Sequence, residues 1–317
     1  MGYRAKVILD SIGPNEKRLI SVEMTYPRFI HAEFMTHRDR ARNAASSRAI
    51  PWKAKGKPTR IKDMPPGSVT IGKGQFSEIS LDENETYEYY KPNCMYSMIM
   101  TEPVIPLSFD AEQKGMQSGD AVLDQEEARR IWLKARDNAV ASADALAALG
   151  VHKSICNRLT EPFMWITVLC TATEWNNFFR LRCHPAAEKH FQKIAGMVRQ
   201  AIKESTPQKL MPGQWHLPYV EEEDYRAAGG SSTILKMVSV GRCARLSYLT
   251  HDGKRDIGSD VALAEKLLRP PGDPDEEIMH ASPFEHVASP SYNLIRSGPF
   301  IGWKQFRKEF PNENLEN

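Results

Sequence analysis

The stretch RLISVEMTYPRFIHAEFMTHRDRARNAASSR, residues 18–48, contains three patterns in succession. Residues 18–26 alternate, with Ile20, Val22, Met24 and Tyr26 on one face, which is the pattern of a strand. Pro27 then opens a short helix on which Ile30 and Phe34 fall four apart. Residues 36–48 follow with His37, four arginines (Arg38, Arg40, Arg42, Arg48), Asn43, Ser46 and Ser47, and alanine as the only apolar type. No large apolar residue lies between Met35 and Ile50, so this segment has no stripe by which to dock as an amphipathic helix. Two readings stand side by side. One is a solvated basic helix, since Ala and Arg both favour helix. The other is an anion site, in which planar guanidinium forks and hydroxyls meet phosphate, each charged hydrogen bond contributing about 1.5–3 kcal/mol.

Outward from this stretch, the chain has 317 residues, 41% hydrophobic and 26% charged, enough to bury a sizeable core. Its net charge is only +2, whereas a protein built to grip a nucleic-acid backbone carries a stronger basic excess. Cys94, Cys156, Cys170, Cys183 and Cys243 are odd in number and never spaced C-x-x-C, which suits reduced thiols and neither a disulfide framework nor a zinc site. The N-terminal residues lack a signal-peptide core, and no run of about 18 apolar residues exists. The expectation is a soluble cytoplasmic protein without a membrane span.

Residues 51–119 are rich in Pro, Gly and polar side chains, and read as an irregular excursion with one or two short strands. Asp124 and Glu127 then start a helix with a stripe of Ala128, Ile131, Trp132, Ala135, Ala139 and Leu146, stopped by Gly150. FMWITVLCT (163–171) reads as a buried strand, and Thr171 with Glu174 as a capping box for the helix carrying NNFFRLR. Pro185 begins another helix, with Phe191, Ile194, Ala195, Val198 and Ile202 facing inward. Trp303, Phe306 and Phe310 suggest a packing stripe on a last helix. Strands interspersed with helices point to one α/β or α+β domain over 1–317, with a loop-rich insertion at about 51–119.

Further constellations bear on chemistry. NRLTEP (157–162) and NNFFRLR (176–182) supply Arg158, Asn177 and Arg182, the last equally readable as a cation favoured by a helix C-terminus. HASPFEHV (280–287) supplies His280, Ser282, Glu285 and His286, whose spacing does not match a zinc-binding helix, so no metal is expected. Cys183 stands beside His184 at an expected helix start, where its thiol pKa would fall.

Taken together these segments resemble the flavin-dependent thymidylate synthases. That family carries R-H-R followed by seven residues and a serine, and here Ser46 stands eight after Arg38, with Asn43 and Arg48 matching the continuation. NNFFRLR is similar to a family helix at Asn177 and Arg182, and NRLTEP to the segment of a substrate arginine at Arg158. CARLSY, with Ser247, and HASPFEHV resemble two segments that in the family precede the R-H-R motif. Here they follow it, so the sequence reads as circularly permuted, with 235–290 equivalent to the usual N-terminal part. There are departures as well: Thr36 replaces the first motif arginine, for which Arg40 or Arg42 is the nearest substitute. Ala44 and Ala49 replace a glutamate and a tyrosine, and Glu33 a glutamine that helps read the pyrimidine.

The resemblance implies an α/β (α+β) fold with a mixed or antiparallel sheet and surrounding helices. It implies FAD as cofactor, held by His37, Arg38, Asn43, Asn177, Ser247, His280, Ser282 and Glu285. It implies dUMP held by Glu33, Ser46, Ser47, Arg48, Arg158 and Arg182, with Arg182, Arg48 and Ser46 acting at the reacting base. Methylenetetrahydrofolate and NADPH are the implied co-substrates, dTMP the implied product, and a homotetramer with shared active sites the implied assembly. The altered motif positions leave open 5-hydroxymethyl-dUMP as the product. Further off stand a catalytically silent nucleotide binder and a nucleic-acid-binding protein.

Overall fold

The computed structural model describes residues 2–53, 94–112, 119–248, 256–268 and 280–310. Along the chain the strands are β1 (Arg4–Ile12), β2 (Arg18–Pro27), β3 (Ala41–Ala44), β4 (Trp165–Ala172), β5 (Gln208–Lys209), β6 (Ala288–Pro290), β7 (Arg296–Ser297), β8 (Phe300–Ile301) and β9 (Trp303–Gln305). The α-helices are α1 (His31–Met35), α2 (Met95–Thr101), α3 (Gln125–Ala148), α4 (Lys153–Cys156), α5 (Asn176–Arg182), α6 (Lys189–Glu204), α7 (Glu222–Ala227), α8 (Ser232–Tyr248) and α9 (Ile257–Leu268). The expected mixed α/β architecture is present. The chain divides into two compact units. The first comprises Met1–Ser46, Pro106–Gln125 and Trp165–Asn317, and the second Ser47–Ile105 and Glu126–Met164.

The first unit is built on a five-stranded sheet of order β3-β4-β2-β1-β5, antiparallel except for the β1/β5 pair. Period-2 alternation along β2 sends Ile20, Val22, Met24 and Tyr26 to one face, where they join Ile166, Val168 and Cys170 of β4. Phe34, Trp175, Phe178 and the inner stripe of α6 (Phe191, Ile194, Ala195, Val198, Ile202) close this core. Each such side chain contributes about 1.5–3 kcal/mol by burial. The opposite face carries Leu19, Ser21 and Thr171 and is covered by the C-terminal third. There Leu19 and Ala41 pack with Ala288, Phe300 and Trp303, and Leu169 with Cys243 and Leu246.

The strand over 18–26, the strand over 163–171 and the inner stripe of α6 are as the sequence suggests. Four local expectations are corrected. Thr171 does not cap α5: β4 runs on to Ala172, the Thr171 hydroxyl is taken up by Ser21 and His286, and Glu174 pairs with Lys17 at 2.7 Å. The helix expected from Pro185 begins at Lys189, because Glu188 is the residue whose carboxylate accepts from Phe191 N (2.8 Å). Trp303 lies in β9 opposite Pro290, and only Phe306 enters the short 3-10 turn Phe306–Glu309, so no single last helix exists. Cys183 terminates α5 and does not start a helix, and burial pushes its thiol pKa up.

In the second unit α3 turns inward Trp132 of the expected stripe together with Val140 and Ala143, which lie outside that stripe. Val140 and Ala143 are its buried residues, Trp132 donates to Val104 O (2.8 Å) and packs edge-on against Phe163, and Ile131 is 56% exposed. Gly150, at φ +80°, ends the helix as expected, with Val151 N returning to Leu146 O (3.1 Å). Of the expected excursion over 51–119, residues 54–93 and 113–118 lie outside the described residues; its described residues hold the helix α2 and, at Asp110, an isolated bridge to Ala121. Among the described residues no helix is long and apolar enough to cross a membrane.

Candidate functional site

Residues 36–48 are neither a solvated helix nor, for the most part, exposed. They end α1 and then enter the sheet as β3, whose Ala41 and Asn43 are buried and whose pairing with β4 continues through Ala45 N to Thr167 O (3.0 Å). Burial without a large apolar side chain is possible because small residues let the strand approach its neighbours closely. The Ser282–His286 3-10 turn and α8 both pack on β3. The Asn43 amide accordingly donates to Cys243 O (3.1 Å) on α8.

Thr36 and Arg42 finish the C-terminus of α1. The Thr36 hydroxyl donates to Glu33 O (2.7 Å), and Arg42 Nη1 donates to Met35 O and His37 O (both 2.9 Å). Arg40 is buried with its guanidinium over Phe178 (4.8 Å) and Trp175 (5.1 Å), and Asp39 takes its Nε and Nη2 hydrogen bonds (2.9 and 2.7 Å). Arg40 Nη1 is buried and has no hydrogen-bond partner among the described residues.

The segment that ends α1 meets the last residue of α5. Arg182 Nε donates to His37 Nε2 at 2.9 Å, its guanidinium lies 4.5 Å over the Phe191 ring, and its Nη1 stands 3.5 Å from Glu33 Oε2. A guanidinium can only donate, so His37 Nε2 is the bare nitrogen and the ring carries its proton on Nδ1. Burial first, then the Arg40 and Arg182 charges, push the His37 pKa down to about 4, so the acceptor persists at neutral pH. The imidazole is held edge-on against Phe178 (5.1 Å between centroids). Glu33 is affected in the opposite direction: burial and the Glu188 charge raise its pKa, with Arg182 partly offsetting them. The result is an arginine, its side chain 21% exposed, whose orientation is fixed through Nε and whose Nη1 stands beside Glu33, a donor group suited to a carbonyl oxygen or an anion.

The remaining positions of the first unit divide by what already holds them. Arg38 and Asn177 are exposed and make no side-chain bond among the described residues, and the half-buried Ser46 hydroxyl makes none either. Glu285 is ion-paired with Arg307. His280 is exposed and Ser282 half-buried at the start of its turn. Ser247 lies in α8 with its side chain outside the described residues.

In the second unit, the Ser47 hydroxyl donates to Glu161, and the Asn157 amide donates to Ser47 O (2.7 Å) and Ile50 O (2.9 Å). These bonds strap the chain following Ser46 to the 3-10 turn Asn157–Phe163. Arg48 and Arg158 are the residues next to the two ends of that strap. Both are exposed and neither has an ion-pair partner among the described residues. Ser47, by contrast, has a structural partner already.

Arg38 and Asn177 remain donors without a side-chain partner among the described residues, whereas Asn43, Arg182 and Glu285 are engaged within the chain. A metal-ligating residue group is not found among the described residues. What signals Arg182 in the sequence is its motif; the His37 acceptor that orients it leaves no separate signal.

No protein-family model matches the chain, and no curated protein matches it. Among solved structures, the chain aligns with a UMP/dUMP methylase PolB from Streptomyces cacaoi bound with 5-Br dUMP. That alignment covers 64% of this chain and 90% of that one, at 11% identity and a TM-score of 0.41. The same enzyme bound with 5-Br UMP aligns over 64% and 89%, at 12% identity and a TM-score of 0.42. Likeness at that level fixes no residue correspondence.

Proposed function

We propose that the protein transfers a one-carbon unit from methylenetetrahydrofolate to C5 of dUMP in a flavin-dependent reaction, giving dTMP. The observation that supports this reading is the meeting of Arg182 with His37 and Glu33. These residues lie in two sequence segments that separately resemble the flavin-dependent thymidylate synthases, and His37 and Arg182 are 145 residues apart in the chain.

In this reading Arg182 donates to a uracil oxygen and stabilises the charge that develops there as C5 becomes nucleophilic. His37, neutral and accepting at Nε2, keeps that arginine aimed without competing for the ligand. Arg38, Asn177, His280 and Ser282 hold FAD, which when bound supplies the reducing equivalents. Holding flat reactants in register contributes about 7–11 kcal/mol toward the barrier. A homotetramer and NADPH as reductant complete the proposal.

A second product, 5-hydroxymethyl-dUMP, is kept open by one feature: Thr36 stands where the first motif arginine would, and its hydroxyl closes the end of α1 on Glu33 O (2.7 Å). The test is the mass of the nucleotide formed from dUMP, methylenetetrahydrofolate, FAD and NADPH. A methylated product supports thymidylate synthesis, and one further oxygen identifies the hydroxymethylase. Arg182→Ala weakens dUMP binding roughly tenfold to a hundredfold, the worth of one charged hydrogen bond. A protein that binds no flavin and no dUMP, yet binds DNA with steep salt dependence, overturns the reading.

A further inference from the structure

On the sheet face away from α6, five polar side chains form an unbroken hydrogen-bonded file. Ser11 Oγ meets His216 Nδ1 (2.8 Å), and His216 Nε2 meets Ser21 Oγ (2.8 Å). Ser21 Oγ meets Thr171 Oγ1 (2.6 Å), and Thr171 Oγ1 meets His286 Nδ1 (2.8 Å). All five residues are completely buried. The sheet register builds the file: Ser21 stands directly opposite Thr171, and Ser11 opposite Gln208 of the exposed strand β5. At the outer end Gln208 Nε2 donates to Ser11 Oγ (3.3 Å). At the inner end His286 Nε2 is buried and has no hydrogen-bond partner among the described residues.

Each hydroxyl has one proton to donate, and each neutral imidazole one donor and one acceptor. Every interior member has two partners, and each hydroxyl proton finds an acceptor only if donation runs the whole length in one sense or the other. The Gln208 amide, donating into Ser11, selects the sense toward His286. Ser11 then donates to His216 Nδ1, His216 Nε2 to Ser21, Ser21 to Thr171, and Thr171 to His286 Nδ1. His286 is left with its proton on the unpartnered Nε2. Keeping five polar side chains and an orphaned N–H on a buried sheet face is costly, and apolar residues of similar shape would fill the space without that cost.

We propose that this file is a proton path between solvent at β5 and the Ser282–His286 segment, and that His286 Nε2 donates there to a hydrogen-bond acceptor on a bound ligand. In one passage the His286 Nε2 proton leaves to the acceptor and Nδ1 takes the Thr171 hydroxyl proton. Thr171 takes that of Ser21, Ser21 takes that of His216 Nε2, and His216 Nδ1 takes that of Ser11. Water at the Gln208 edge resupplies Ser11. One proton enters, one leaves, each bond broken is matched by one formed, and both rings change from the Nε2–H to the Nδ1–H tautomer together. The path does not depend on the identity of the nucleotide or of the cofactor.

The test is nitrogen-detected NMR of the full chain labelled with 15N-histidine at neutral pH. His216 and His286 are expected in the same tautomer; opposite tautomers overturn the proposal. A second measurement is the solvent exchange of the His286 ring proton in Ser21→Ala, with Thr171→Ser as the control that keeps a hydroxyl. If the file conducts, Ser21→Ala slows exchange about tenfold, the factor equivalent to one buried hydrogen bond, and Thr171→Ser leaves it near the wild-type rate. If the file is only structural, Ser21→Ala loosens the fold and exchange speeds up, which excludes the path. Both readouts hold whether or not the protein turns over dUMP.

Discussion

At the scale of single residues, the decisive pair is His37 and Arg182. The imidazole is useful because it stays uncharged, and its pKa of about 4 keeps it so across the ordinary range. Protonation would remove the lone pair on Nε2 and set a second positive charge against the guanidinium. His37→Ala is expected to weaken dUMP binding about tenfold by freeing Arg182, and His37→Gln to recover most of that loss through its side-chain carbonyl. Calorimetric titration against pH should show wild type and His37→Gln running parallel above about pH 5, one unit over the His37 value, and diverging below it. Parallel curves down to pH 4 would sink the positioning role. Arg182 itself can be found from sequence, because its motif is local. Its partner cannot, since the bond joins residues 145 apart and depends on how α1 ends.

At the scale of elements, legibility follows the strength of the hydrophobic period. β2, β4 and α6 bury large side chains at spacings of two or 3.6, and each is readable. β3 is not, because what it buries is alanine and asparagine, and a strand of small residues leaves no amphipathic trace. The inward face of α3 is only partly legible for a related reason: alanines on several sides give a broad stripe, and packing within its unit decides which part is covered. Other contacts invisible in sequence join α8 to α7 and to α9. Arg242 binds Asp224 (2.8 Å through Nη2) and Asp260 (2.8 Å through Nε), and Arg245 binds Asp260 at 2.6 Å. The helices approach so closely that a side chain at Gly241 would overlap the Asp260 carbonyl. Gly241→Ala is therefore expected to destabilise the protein by about 1–3 kcal/mol, despite the better helix propensity of alanine. Urea unfolding measures this, and a stabilised variant would show that the helices are not held apart by backbone alone.

At the scale of the molecule, buried neutral histidines set the response to acid. His216 and His286 have pKa values pushed down to about 3 by burial, with His286 adding to the effect at His216. Between about pH 3 and 6.5 the unfolded chain binds protons at these positions that the folded chain does not. Their contribution is complete above pH 6.5 and is lost as the pH falls toward 3, by up to about 1.4 kcal/mol per pH unit for each ring. Denaturant midpoints should therefore drop steadily from pH 7 to pH 5; equal midpoints at both would contradict the burial of these rings as neutral species.

The strand order has a consequence for how the chain is made. β2 pairs on one edge with β1, its immediate predecessor, but on the other with β4, and the facing residues Ser21 and Thr171 are 150 positions apart. A growing polypeptide presents the β1–β2 ribbon first, with Ile20, Val22, Met24 and Tyr26 still lacking the apolar side chains that will cover them. At ribosomal speeds the missing strand follows on the order of ten seconds later. For that interval the nascent ribbon carries a sticky face and an open edge, so the yield of soluble protein during synthesis is governed by what shields this ribbon, and not by the stability of the finished sheet.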